Sequence, residues 1–274
     1  MRYVFIIEKG YGMKSAMHFF YIILLFSIFV GCSSSPLTRY PDFLERKSKF
    51  TSTVILSDVI VINASLGDSN IIDLVDNQKI AKITLQLFAG KMNEKGYNID
   101  RVFLSSIGLL LNKDVNYRII RTPEEQLFEP SELEVASPPL YLHELFSQDT
   151  IRRQLLRLVY SSLLNYEKGK GDNNIKIPAA TYLSQSLGGG MLGVIFVSGY
   201  NVGATKQYGQ YLSPFKTTEE KISIQPISQF SMMFYLIDSS NGEVIWDDRV
   251  IVKGGLMHSE KLQKMVEKLC DELP

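Results

Sequence analysis

Histidine, cysteine and tryptophan are nearly missing from this chain, at three, two and one among 274 residues. Beyond residue 31 only His143, His258, Cys32 and Cys270 remain, and neither histidine sits in an H-E-x-x-H spacing. A Cys/His metal site therefore has no ligand set, and each histidine reads as a surface or hydrogen-bonded loop residue. An excess of one charge is absent too: lysine plus arginine and aspartate plus glutamate stand at 29 each. Without a basic block, nucleic acid is excluded as an expected partner. Nucleophile motifs are missing, because Val197-Ser198-Gly199 lacks the leading glycine of G-x-S-x-G. Gly188 to Gly190 precede a strand pattern, whereas a phosphate cradle follows a strand and opens a helix. Asp238 to Arg249 fails as a calcium loop, with glycine one position early and Arg249 where the glutamate ligand belongs. Asp247 and Asp248 are adjacent strand residues that point to opposite faces, so they read as a solvated edge rather than an acid–base pair. No catalytic residue, metal or cofactor is assigned, and the expectation is a protein that is not an enzyme. A hydrolase whose nucleophile and base leave no sequence signature is the remaining alternative.

Long apolar runs are scarce, with one exception near the start. Phe19 to Val30 is apolar or weakly polar throughout, preceded by Lys14 and followed by Gly31-Cys32-Ser33-Ser34-Ser35. A charged lead, a short apolar stretch and small residues at its end describe a secretory signal peptide. As a helix the run rises only about 18 Å, short of the roughly 30 Å hydrocarbon core. Val30-Gly31-Cys32, with Phe29 where leucine is usual, resembles the lipobox of bacterial lipoprotein signal peptides. That resemblance implies removal of residues 1–31, diacylation of the Cys32 thiol and acylation (palmitate) of the new amino terminus. Two or more chains hold a protein firmly at a membrane. A plain signal peptide or an uncleaved anchor is the alternative. Residues 1–12 carry Glu8 and a Gly10-Tyr11-Gly12 turn, unlike a signal-peptide lead, so translation is expected to begin at Met13 or Met17. Ser33 stands where inner-membrane lipoproteins carry aspartate, and by resemblance this implies the outer membrane, facing the periplasm. With Cys32 acylated no intramolecular disulfide is available, and Cys270, in a helical pattern, reads as a buried structural thiol.

Residues 32–49, with Ser33-Ser34-Ser35, Pro36 and Pro41, read as a flexible tether. Beyond it one α/β domain is expected over residues 50–274, a mixed β-sheet flanked by helices. Phe50 to Asn63 is β-branched and apolar on both faces, a central strand interrupted by Asp58, which reads as a polar residue at a bulge. A helix follows, capped by Asp73 or Asp76 and stopped at Gly96, then a strand within Tyr97 to Leu111. Pro123, Pro130, Pro138 and Pro139, with Glu124, Glu125, Glu129, Glu132 and Glu134, make 112–148 an insertion. Asp149 to Lys168 is a helix with the stripe Ile151, Leu155, Leu158, Val159, Leu163; Arg152, Arg153 and Arg157 form its solvated face. A strand over Met191 to Tyr200, a second insertion at 200–228, a hairpin turning at Asn241-Gly242 and a helix capped by Ser259 close the chain. The expected order is β-α-β-(insertion)-α-β-(insertion)-β-hairpin-α. Tyr200, Tyr208 and Tyr211, interleaved with Lys206, Lys216 and Lys221, are the candidate partner-binding residues. Such a stretch forms an interface or folds back as packing, and the sequence leaves both open.

A lipobox, an apolar strand, a helix ending Lys95-Gly96-Tyr97 and a hairpin reading Tyr235-Leu236-Ile237-Asp238 then Asn241-Gly242-Glu243-Val244-Ile245-Trp246 come in that order. The chain from about Phe50 to Leu273 thereby resembles the fold group of the curli secretion lipoprotein, the penicillin-binding-protein activator lipoprotein and the amino-terminal domain of the Tol propeller protein. The resemblance implies a binding or assembly scaffold, with no catalytic residues to carry over. Two expectations follow. The first is a lipid-anchored periplasmic lipoprotein that binds another cell-envelope protein. The second is an oligomeric subunit, possible as a homo-oligomer, of an envelope secretion or transport apparatus.

Overall fold

The β-branched run beyond residue 52 forms a 12-residue strand, β1 (Thr53–Ala64). Alternate side chains go to opposite faces of a sheet. Ile55, Val59 and Val61 enter one core while Val54 and Leu56 enter the other, which is why the run shows no polar face. The computed structural model describes residues 42–48, 52–64, 70–168, 175–202, 228–255 and 257–273, all within one unit, Tyr40–Pro274.

β1 pairs parallel with β7 (Met191–Val202) along its whole length, from Thr53↔Met191 to Ala64↔Val202. Its other flank is shared. β3 (Ile99–Ile107) runs parallel to it as far as Val59↔Ile107, and β2 (Asn70–Asp73) pairs antiparallel with Asn63 and Ala64. Neither strand is paired with Val61. That gap is filled by a side chain: the Asn77 Oδ1 accepts from the Val61 N–H at 2.7 Å, and its Nδ2 donates to the Val61 carbonyl at 3.0 Å. Asn77 lies in the first turns of α2 (Leu74–Glu94), whose amino end is capped by the Asp73 carboxylate accepting from the Asp76 N–H. Gly96, at φ 80°, closes the helix as an unstrained left-handed residue.

β8 (Gln229–Asp238) and β9 (Glu243–Lys253) form the expected hairpin, with Gly242 at φ 72° in the turn. A side chain there would meet the Ile177 carbonyl at 2.7 Å, so glycine is required twice over. β9 is the edge of the sheet, as the clustered charges at 247–249 led us to expect. Asp247 itself, however, is buried rather than solvated. α2 and α5 (Ser259–Asp271) pack on one face around Phe88, Phe230, Phe234 and Trp246. α3 (Asp149–Lys168) and α4 (Pro178–Leu187) cover the other with Leu155, Leu158 and Leu183. Helices on both faces of a mixed sheet match the expected α/β class.

Four local features differ from the sequence reading. Residues 112–148 supply sheet strands: β4 (Tyr117–Ile120) pairs parallel with β2, β5 (Glu134–Ala136) pairs with β4, and β6 (Tyr141–Leu142) pairs with β3. These strands are two to four residues long, too short for a period to register against the surrounding prolines. α4 was not expected either, although Pro178 at its first position is a favoured helix opening. The tether does not run to residue 49, because α1 (Phe43–Lys47) docks on the domain. Phe43 is 1% exposed and meets Trp246 edge-on at 5.6 Å, while Arg46 reaches Glu243 at 2.9 Å. Finally, His258 rather than Ser259 caps α5, its Nδ1 accepting from the Lys261 N–H.

Phe43→Ala is expected to cost about 3 kcal/mol or more in denaturant unfolding, since a buried aromatic against a packed Trp leaves a cavity. A tether residue would cost nothing. Asn77→Leu strands the N–H and carbonyl of Val61 and is expected to cost about 2–4 kcal/mol in the same measurement.

Candidate functional site

β1 and β7 end side by side at Asn63-Ala64 and Asn201-Val202. The chain leaving β1 turns to β2 on one flank, whereas β8, the next described strand after β7, lies on the other. Diverging exits at the carboxyl ends of parallel strands open a crevice, the place where α/β sheets bind ligands. A cavity of about 240 Å³ occupies it, walled by the first turns of α2 and α5. Val61, Ile80, Ile83, Met257 and Leu262 make its apolar side. Asn63, Asp76, Lys79, Asn201, His258 and Ser259 make its polar side.

Hydrogen bonds fix part of this polar set. Asn201 Nδ2 donates to Asn63 Oδ1 at 2.8 Å, and Asn201 Oδ1 accepts from the Met257 N–H at 3.2 Å. This ties the ends of the two strands to the approach of α5. The cap it makes occupies His258 Nδ1, so the neutral ring carries its proton on Nε2. Asn77 also lines the cavity, but its amide is spent on Val61 and on the Asp73 carbonyl. Burial, then the neighbouring Asp73 carboxylate, push the Asp76 carboxyl above its ordinary value, while Lys79 pulls it back.

A second polar group lies deeper, on β1 itself. At the register shift between Ser57 and Asp58, the Asp58 Oδ1 accepts from Ser106 Oγ at 2.8 Å and from the Leu109 N–H at 3.3 Å. The expected bulge is there, but the carboxyl is buried rather than solvent-facing. Among the described residues no cation lies against it; burial raises the Asp58 carboxyl to about 7, and its two donors only partly oppose this. A cavity of about 20 Å³, room for roughly one water, lies against it between Ile60, Leu111, Phe196 and Met233.

The residues singled out from sequence fare unequally. Cys32, Tyr208 and Tyr211 lie outside the described residues. Tyr200 is only half-buried, yet its ring packs on the cluster of Ile60, Ile62, Ile72 and Tyr117, and burial raises its hydroxyl. Tyr200 itself thus packs on the domain, one of the two readings the sequence leaves open. Cys270 is buried and its thiol is pushed up to about 12, which leaves it inert, as its helical context implied. His143, like His258, caps a helical turn, accepting from the Leu145 N–H at 3.2 Å. Among the described residues no three His, Cys, Asp or Glu side chains converge as a metal site, and no helix is long and apolar enough to cross a membrane. The crevice residues were missed, although one signal for them was present: both buried strand runs end on asparagine, at Asn63 and Asn201.

No family model matches this chain, and no curated protein matches it. Among solved structures, the fold is similar to lipoprotein GNA1162 from Neisseria meningitidis, 13% identical with a TM-score of 0.31, over 81% of this chain and 97% of that one. It is also similar to the PelC dodecamer from Paraburkholderia phytofirmans, 9% identical with a TM-score of 0.28, over 80% and 85% of the two chains. At these scores the likeness is one of general fold, and no functional argument rests on it.

Asp58 makes a pH prediction. Its carboxyl titrates near 3.8 when unfolded and near 7 when folded. Between those values the folded state holds more protons, so stability falls as pH rises from about 4 to about 7 and is level beyond. Asp58→Asn is expected to remove this slope, a difference of about 2–4 kcal/mol across the window, read from denaturation curves at pH 4.5 and 8. An unchanged slope would show that Asp58 is not the group responsible.

Proposed function

We propose that this chain is a lipid-anchored lipoprotein of the bacterial cell envelope, held at the outer membrane and facing the periplasm. Its α/β domain acts as a non-enzymatic binding or assembly module for another envelope protein. The observation that carries the reading is Val30-Gly31-Cys32 directly behind a short apolar run. Docking of Phe43 supports it by limiting the tether. Only the residues between Cys32 and Phe43 separate lipid from domain, a reach of at most about 40 Å. Partner contact falls to Tyr208, Tyr211 and the 112–148 region. There Leu127 is 89% and Phe128 52% exposed beside Glu124 and Glu129, an apolar tip with an acidic rim.

A second reading, an oligomeric subunit of a secretion or transport apparatus, draws on one further observation. α3 presents exposed Arg152, Arg153, Arg157 and Tyr160, opposite in charge to the tip and on a different part of the domain. Two unlike complementary patches suit a head-to-tail contact between copies, which closes as a ring.

Cys32→Ser is expected to abolish incorporation of labelled palmitate and to move the protein from the membrane to the soluble fraction. A variant that stays with the membrane contradicts lipid anchoring. The solution mass of residues 37–274 separates the readings of the domain: a monomer fits the adaptor, a stable ring the apparatus subunit.

A further inference from the structure

The crevice at the carboxyl ends of β1 and β7 has more polar capacity than the fold uses. Asp76 and Lys79 stand one helical turn apart on its wall, yet among the described residues neither side chain has a hydrogen bond or an ion pair within 4 Å. Among the described residues Asn63 Nδ2 meets no acceptor while Asn63 Oδ1 receives Asn201, and His258 Nε2 meets none while Nδ1 caps α5. A carboxylate, an ammonium and two further N–H donors therefore face the same space, with Asp76 and Lys79 close enough to act on each other. The remaining wall is apolar, built from Ile80, Ile83 and Leu262. At about 240 Å³ the cavity lies just under the ~300–1,000 Å³ of drug-sized sites, so the occupant is small.

We infer that this crevice binds a small zwitterion with an apolar side chain, of the chemistry of an α-amino acid. The ligand ammonium pairs with Asp76. The ligand carboxylate accepts from Lys79, Asn63 Nδ2 and His258 Nε2. The apolar side chain lies on Ile80, Ile83 and Leu262. Each charged end meets its complement on rigid elements, since Asp76 and Lys79 ride on a capped helix and Asn63 is fixed by Asn201. A ligand with only an anion leaves Asp76 unpaired, and one with only a cation leaves Lys79 unpaired. Discrimination against both follows from the loss of one of the two charge-assisted contacts that the zwitterion makes. The site is independent of Cys32 and of any protein partner.

The full-length protein, purified in detergent micelles, would be titrated with L-leucine, 4-methylpentanoate and isoamylamine by calorimetry. These probes share a branched apolar tail and differ only in charged ends. Leucine is expected to bind, with each singly charged analogue about tenfold or more weaker. Lys79→Gln should bring leucine down to the level of isoamylamine, and Asp76→Asn should bring it down to that of 4-methylpentanoate. Both positions are exposed, and an unchanged melting temperature verifies that each variant is folded. Failure of all three probes to bind at about 10 mM overturns the proposal. So does equal binding of the three, or leucine binding that neither substitution weakens.

Discussion

A single amide side chain fills a gap in the pairing beside the central strand. β1 has two neighbours on one flank, β3 below and β2 above, and they do not meet. Val61 sits at the junction, buried, with an N–H and a carbonyl that need partners. The Asn77 side chain satisfies both groups and also returns a bond to the Asp73 carbonyl at 2.7 Å. No other side chain of that size offers donor and acceptor in one plane with the geometry of a peptide group. Through it the first turn of α2 is fixed to the strand, and with it Asp73, Asp76 and Lys79. The position of the crevice wall is thus a consequence of how the sheet solves a pairing problem.

The same junction explains why polar residues are tolerated so deep in the sheet. Ser57, Asp58, Ser105 and Ser106 form a seam between β1 and β3 at the register shift, with Ser105 Oγ donating to the Ser57 carbonyl at 2.7 Å. Each hydroxyl meets an oxygen, and the seam is closed by the turn that leads through Gly108 to Leu111. Within this seam the Asp58 carboxyl is held at a cost, since burial opposes its charge and no cation among the described residues relieves it.

Much of the architecture is legible in the sequence because the long elements carry strong periods. β1, β7 and β8 read as doubly buried strands, α3 and α5 as amphipathic helices, and Asn241-Gly242 as a hairpin. The short strands β4 to β6 are not legible, because two to four residues cannot show alternation and their pairing with distant β2 and β3 is set by the tertiary fold. α1 is hidden for a related reason: a single turn has no period, and Phe43 declares itself only once Trp246 is opposite. Site residues were harder still. For Tyr200 the sequence leaves interface and packing open, because the exposure of an aromatic at a strand end is decided by the cluster around Tyr117, remote in sequence. Asp76 reads as one of two cap candidates and Lys79 carries no signal, since nothing local says that a parallel strand pair ends beside them.

The docked α1 has a directional consequence. Arg46 reaches Glu243, at the same end of the sheet as Thr53, Met191 and Asp238. The chain thus joins the domain at the foot of β1, while the crevice opens at its head, about 36 Å away along a strand of 12 residues. Substitutions in α1 therefore act on the foot of the sheet and leave the crevice wall, held at the head by Asn77, in place.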